Sequence, residues 1–178
     1  VPTIPYVGLT WADGSGGATP TSAANFNIMN AGILEVSYAP AVRAWAGATT
    51  SCTTATWTSQ ALNSEDFDQA GNAASTMHDT VTNNSRLTCR YAGVYQITGH
   101  GAMQVSAAGT QRAIRVFLNN TTVVGGPIDF TPSATSQQMG LSTLYKLAVN
   151  DFVELQVFQN SGGNLTFSTT AFCMVRVG

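Results

Sequence analysis

The stretch Ala92-Gly93-Val94-Tyr95-Gln96-Ile97-Thr98-Gly99-His100 decides the fold class. In an extended chain Val94, Gln96, Thr98 and His100 fall on one side and Tyr95, Ile97 and Gly99 on the other, which is the period of a half-buried antiparallel strand. Ile114, Val116 and Leu118 repeat that alternation, as do Val153, Leu155 and Val157. From Pro40 onward the chain offers about ten short strand candidates of this kind. They are separated by turn-rich pieces at residues 69–72, 83–85, 119–120 and 160–164. Regular short strands without a long helix predict an all-β, two-sheet antiparallel sandwich or jelly roll. No internal repeat and no second globular domain is visible.

Composition narrows the function. The 178 residues are 44% hydrophobic but only 9% charged, far below the roughly 25% of an average soluble domain. Thr, Ser, Asn, Gln and Ala replace the missing charge; they suit strands and turns and can face water or a subunit interface without the desolvation cost of a buried charge. A net charge of −2 leaves no electrostatic footprint for a phosphate backbone, so nucleic acid is not an expected partner. The seven basic residues never form a run, which argues equally against an anionic membrane surface. No apolar stretch is long enough to insert into a membrane, and residues 1–6 lack the basic and apolar regions of a signal peptide.

The three cysteines, Cys52, Cys89 and Cys173, match no zinc or thioredoxin-like spacing. Their apolar, strand-like surroundings predict buried, reduced packing residues.

Residues 1–39 read differently from the rest. Residues 1–10 contain two prolines and should be extended, and residues 13–17 form a Gly-rich turn. Gly14 to Gly17 lacks the Lys-Ser/Thr ending of a phosphate loop. Thr19-Pro20 then reads as an N-cap with proline at the first helical position. The short helix it opens carries Phe26, Met29 and Ile33 as one apolar stripe. Such a helix is marginal alone and needs a partner surface. Residues 1–39 are therefore read as an attachment arm or trimer base, with Trp11, Phe26, Met29 and Ile33 as its interface residues, and residues 40–178 as the jelly roll.

The order of motifs from about residue 41 onward resembles the complement globular-head and tumour-necrosis-factor jelly-roll family. The similarity is carried by Phe67-Asp68, His78-Asp79, Leu87-Thr88-Cys89 and Gly93-Val94-Tyr95-Gln96-Ile97 running to His100. It continues through Arg115 to Asn120, Leu144 to Leu147, Asp151 to Leu155, and the closing strand from Phe167 to Phe172. Asn150 stands where the family has Gly, Ala92 where it has Pro, and Thr169-Thr170-Ala171 where it has a final Gly. The resemblance implies a homotrimer with each jelly roll burying one side of its sandwich against its neighbours. There is no collagen-like stem, so an animal complement setting is not expected. Trp11-Ala12-Asp13-Gly14 and the segment from Thr19-Pro20 to Ile33 look instead like the opening of phage virion proteins, particularly tail-associated ones.

No catalytic constellation emerges. His78-Asp79 could be an acid/base pair, but nothing nucleophilic accompanies it and the resemblance assigns it to a structural turn. His100 is expected to face the sandwich interior or a subunit interface. Glu65, Asp66 and Asp68 are the candidate metal ligands; they lack EF-hand spacing, yet members of the resembled family carry calcium near the trimer top. Trp45 and Trp57, in strand-like stretches, are expected to be buried, while Trp11 can be core, interface or sugar-stacking. The expectation is a non-enzymatic, trimeric protein on the outside of a phage particle. It would be a tail-associated fibre or adhesion module contacting other virion proteins and a host-surface glycan or protein. The alternatives are a capsid decoration or head-fibre protein, a secreted binding module, and, disfavoured, a glycan depolymerase.

Overall fold

The computed structural model describes residues 39–71 and 75–178. The predicted helix and the residues Trp11, Phe26, Met29 and Ile33 lie outside them. Eleven strands make up the described part, in two antiparallel sheets. The first sheet has the order β4 (Ser64–Gln69), β1 (Ala41–Trp45), β11 (Leu165–Arg176), β6 (Gly93–Met103) and β9 (Gln137–Leu147). β2 (Thr50–Cys52) pairs with the start of β11. The second sheet has the order β3 (Thr58–Ser59), β10 (Phe152–Gln159), β7 (Arg112–Leu118) and β8 (Thr122–Phe130), and β5 (Arg86–Thr88) pairs with β10.

The alternation read from the sequence is what closes the sandwich. Tyr95 and Ile97 of β6, Phe172 and Met174 of β11, Ile114 and Val116 of β7, and Val153, Leu155 and Val157 of β10 are all fully buried in one core. Each such side chain contributes about 1.5–3 kcal/mol when removed from water. Gly99 and Gly101 sit on the inward face of β6 because the opposite side chains need the room. A Cβ at Gly101 would lie 2.3 Å from Phe167 Cε1, and one at Gly99 would lie 2.5 Å from Leu155 Cδ1.

The turns follow their residues. Asn119 and Asn120 both have positive φ, 49° and 56°, and Thr121 N donates to Leu118 O at 2.9 Å. This is a tight turn within the three-residue connection from β7 to β8, and asparagine tolerates its left-handed backbone. Asn150, at φ 69°, also takes the left-handed conformation that asparagine tolerates better than most side chains.

Strand directions sort the loops into two ends. The chain enters the described domain at Pro40, whose carbonyl accepts from Arg176 N, and Val94 N donates to Gly178 O. The turns at residues 119–120 and 148–151 lie at this same proximal end. At the opposite, distal end the loops of residues 46–57, 104–111, 131–136 and 160–164 tie to one another. Ser106 bridges Ser133, Gly162 N donates to Thr54 Oγ1, and Asn160 Oδ1 accepts from the backbone of Thr110 and Gln111. The buried guanidinium of Arg112 donates to the carbonyls of Ser106, Ala108 and Gln111, holding the loop of residues 104–111.

Candidate functional site

The outer face of the first sheet is built row by row by the strand register. Across β4, β1, β11, β6 and β9 the rows are Gln69–Ala41–Val175–Gln96–Leu144, then Phe67–Arg43–Cys173–Thr98–Ser142, then Ser64–Trp45–Ala171–His100–Gly140. Among these positions Arg43 alone is a Lys, Arg, Asp or Glu, and it is ion-paired with Asp66; beyond the first row, opposite Val94, stands the exposed Lys146. Ala171 and Cys173 on the central strand and Ser142 and Gly140 on the edge strand are small, and large apolar groups stand among them. Leu144 is 63% exposed, Phe67 48%, Trp45 37% and Val175 36%. A flat face poor in charge with exposed apolar groups is what a buried interface needs and what a solvated sheet face avoids.

The outer face of the second sheet differs in kind, because its polar groups satisfy one another. The Glu154 carboxylate accepts from Ser59 Oγ at 2.8 Å, Ser85 Oγ at 2.9 Å and Arg86 Nε at 3.1 Å. Arg86 lies 4.0 Å from the centroid of the Phe152 ring. Arg115 donates to Gln156 Oε1 through Nε and Nη2 and lies 4.0 Å from the centroid of Trp57 and 4.3 Å from that of Phe117. Trp57 itself packs on Phe158. The polar groups of this face are paired within one chain.

The sequence candidates take the following places. Glu65, Asp66 and Asp68 do not converge. Glu65 Oε1 meets His78 Nδ1 at 2.8 Å, Asp66 pairs with Arg43, and Asp68 accepts from the backbone nitrogens of Met77 and His78. No group of three His, Cys, Asp or Glu is arranged to hold a metal ion among the described residues. A bulge in the β1–β4 register at Arg43/Ala44 turns Asp66 to the outer face, leaving Glu65 and Asp68 on the other side, where each is taken up by the segment at Met77 and His78.

His78 is buried and turned away from Asp79. Its other ring nitrogen faces Asn84 O at 3.1 Å, so the ring braces the segment leading into β5. Asp79 accepts from the backbone of Val81 and Thr82. Those bonds, Thr82 first, hold its carboxyl below the usual range. The dipeptide is thus two separate structural braces.

His100 is exposed on the outer face of the first sheet, not in the interior. Trp45, expected to be buried, is exposed at the end of β1 on that same face, while Trp57 is half-buried. Cys52 and Cys89 are buried and all three cysteines are free, whereas Cys173 is half-buried on the outer face beneath Arg43. The outer-face rows were absent from the sequence reading as a site; the side of the Val94–His100 alternation opposite Tyr95 was the signal that pointed to them.

The described residues form an all-β, two-sheet antiparallel sandwich that resembles the complement globular-head jelly roll implied by the motif order. Among solved structures, the globular domain of zebrafish complement 1qA protein superposes with a TM-score of 0.53 at 15% identity, covering 78% of this chain and 98% of that one. Murine APRIL, in a crystal structure at pH 5.0, aligns with a TM-score of 0.49 at 10% identity over 78% of this chain and 99% of that one. At 15% identity the likeness to the complement domain concerns the fold alone. No protein-family model and no curated protein matches the chain.

Proposed function

We propose that the protein is a non-enzymatic, homotrimeric display module on the outside of a bacteriophage particle. In this reading residues 1–39 attach it to other virion proteins of a tail-associated structure, and the distal loops face the host surface. The observation that carries the trimer is the outer face of the first sheet, where Arg43 and Asp66 pair with each other, Lys146 is the remaining charge, and Leu144, Phe67, Trp45 and Val175 are exposed. A second copy of the chain is the occupant it fits, because every copy brings the same uncharged polar and apolar surface.

Two further observations favour display. The chain enters at the proximal end, through Pro40. The loops at the other end, residues 46–57, 104–111, 131–136 and 160–164, contain no Lys, Arg, Asp or Glu. A hydroxyl- and amide-rich rim of this kind suits contact with neutral saccharide or peptide groups. The phage setting rests on the tail-type opening from Trp11 to Ile33. A capsid decoration protein would share the same assembly.

Deleting residues 1–38 tests the division of labour. The shortened chain is expected to form soluble, β-rich trimers that fail to join particles in a complementation experiment. Precipitation, or a shortened chain that stays monomeric, would place the arm in the core or the trimer interface and refute the reading.

A further inference from the structure

Two of the seven basic residues of the chain, Arg86 and Arg90, line a single cavity of about 240 Å³ between the segment leading into β5 and the start of β10. Each guanidinium is held by its inner nitrogen. Arg86 Nε donates to Glu154 Oε1 at 3.1 Å with its plane over Phe152, and Arg90 Nε donates to Thr76 O at 2.6 Å. The outer nitrogens of both meet no acceptor among the described residues, so two oriented donor edges are left facing one space. The wall adds Thr82 and Asn83, and one carboxylate, Asp79, whose Oδ1 is occupied by the backbone nitrogens of Val81 and Thr82. Asn83 is held there in the left-handed conformation, at φ 53°.

We propose that this cavity, at the proximal end of the sandwich and separate from the distal loops, binds the carboxylate of an acidic sugar residue, a uronic or sialic acid. Guanidinium edges favour a planar carboxylate, which they grip through paired hydrogen bonds. The charge of the lining selects a monoanion: Arg86 and Arg90 against Asp79 leave one net positive charge, and Glu154 behind Arg86 offsets part of that. A phosphate dianion would meet Asp79 with no matching cation. The size points the same way, since the cavity is below the roughly 300 Å³ at which drug-sized pockets begin and takes one sugar ring. The free Asp79 Oδ2, the Thr82 hydroxyl and the Asn83 amide are the neutral-ligand partners that sugar hydroxyls use.

The test titrates the full chain with D-glucuronate and N-acetylneuraminate, and with glucose, inorganic phosphate and N-acetylaspartate as the contrasting probes. Calorimetry is combined with amide shifts at Thr82, Asn83 and Thr88. The two acidic sugars should bind and shift these amides, glucose should not, and phosphate and N-acetylaspartate should bind more weakly. Arg90→Gln should weaken glucuronate at least about tenfold, with Arg90→Lys intermediate because it keeps the charge and loses the fork. The melting temperature of both variants should match that of the parent. Absence of glucuronate binding, equal binding of glucose, undiminished binding by Arg90→Gln, or tighter binding of phosphate overturns the proposal. Tighter binding of N-acetylaspartate would make the cavity a protein-carboxylate site and overturns it as well.

Discussion

Replacing Glu154 by Gln should destabilise the fold far more than its place on an outer sheet face suggests. The carboxylate is only 7% exposed and Arg86 30%. It receives donors on both oxygens: Ser59 on one, Ser85 and Arg86 on the other. An amide keeps one acceptor and puts an NH2 in place of the second. If that NH2 faces Ser59, the hydroxyl there already accepts from Gln156 Nε2 at 3.0 Å and its own proton is left unpaired. If the amide is flipped, Arg86 and Ser85 lose their acceptor instead. The loss of one charge-assisted bond and one neutral bond predicts a cost of about 2–3 kcal/mol. That corresponds to a fall in melting temperature of about 5–10 °C for a domain of this size. A double-mutant cycle with Arg86→Gln isolates the pair and should give a coupling of about 1.5–3 kcal/mol. Urea or thermal unfolding at one fixed protein concentration measures it, since unfolding of an oligomer depends on concentration. A coupling below about 0.5 kcal/mol would show that the pair is no more than a solvated surface contact and would refute the reasoning.

Gly101→Ala should destabilise by about 1–3 kcal/mol through overpacking, because the new Cβ would meet the Phe167 ring at 2.3 and 2.5 Å and the Ser168 carbonyl at 3.0 Å; an unchanged urea midpoint would count against the core packing. Reductant should leave the melting temperature unchanged, since all three thiols are free; a loss of about 2 kcal/mol or more would reveal a bridge. Burial raises the Cys52 thiol from the ordinary 9.0 to about 11, and burial also pushes Cys89 and Cys173 up. The unfolded chain therefore loses these protons first, so their contribution to stability is complete below pH 9 and declines as pH rises from 9 to 11. Slow alkylation at neutral pH and a falling melting temperature over that alkaline window are the expected readouts.

The parts of the fold that were legible in the sequence were those fixed by local chemistry. The Val94–His100 alternation assigns β6 two faces by itself, and Asn119-Asn120 names its own turn. What was not legible depended on pairing between distant segments. Glu154 and Arg86 lie 68 positions apart, and nothing local to either announces the other. The same is true of the cavity, which needs the segment at residues 76–83 laid against β5 and β10. Glu65, Asp66 and Asp68 looked like a cluster because sequence proximity does not show the bulge that turns Asp66 to Arg43 while Glu65 and Asp68 are taken up by the segment at Met77 and His78. Trp45 was misread because a tryptophan in a strand is usually covered. Here its cover, in the trimeric reading, belongs to another copy of the chain.

That reading is tested most directly by the mass of the full chain in solution. Light scattering at micromolar concentration should report three times 18.6 kDa, and Leu144→Glu, at a position 63% exposed in the single chain, should drop it to one folded protomer. A stable parent monomer with the same β-rich spectrum would contradict the account.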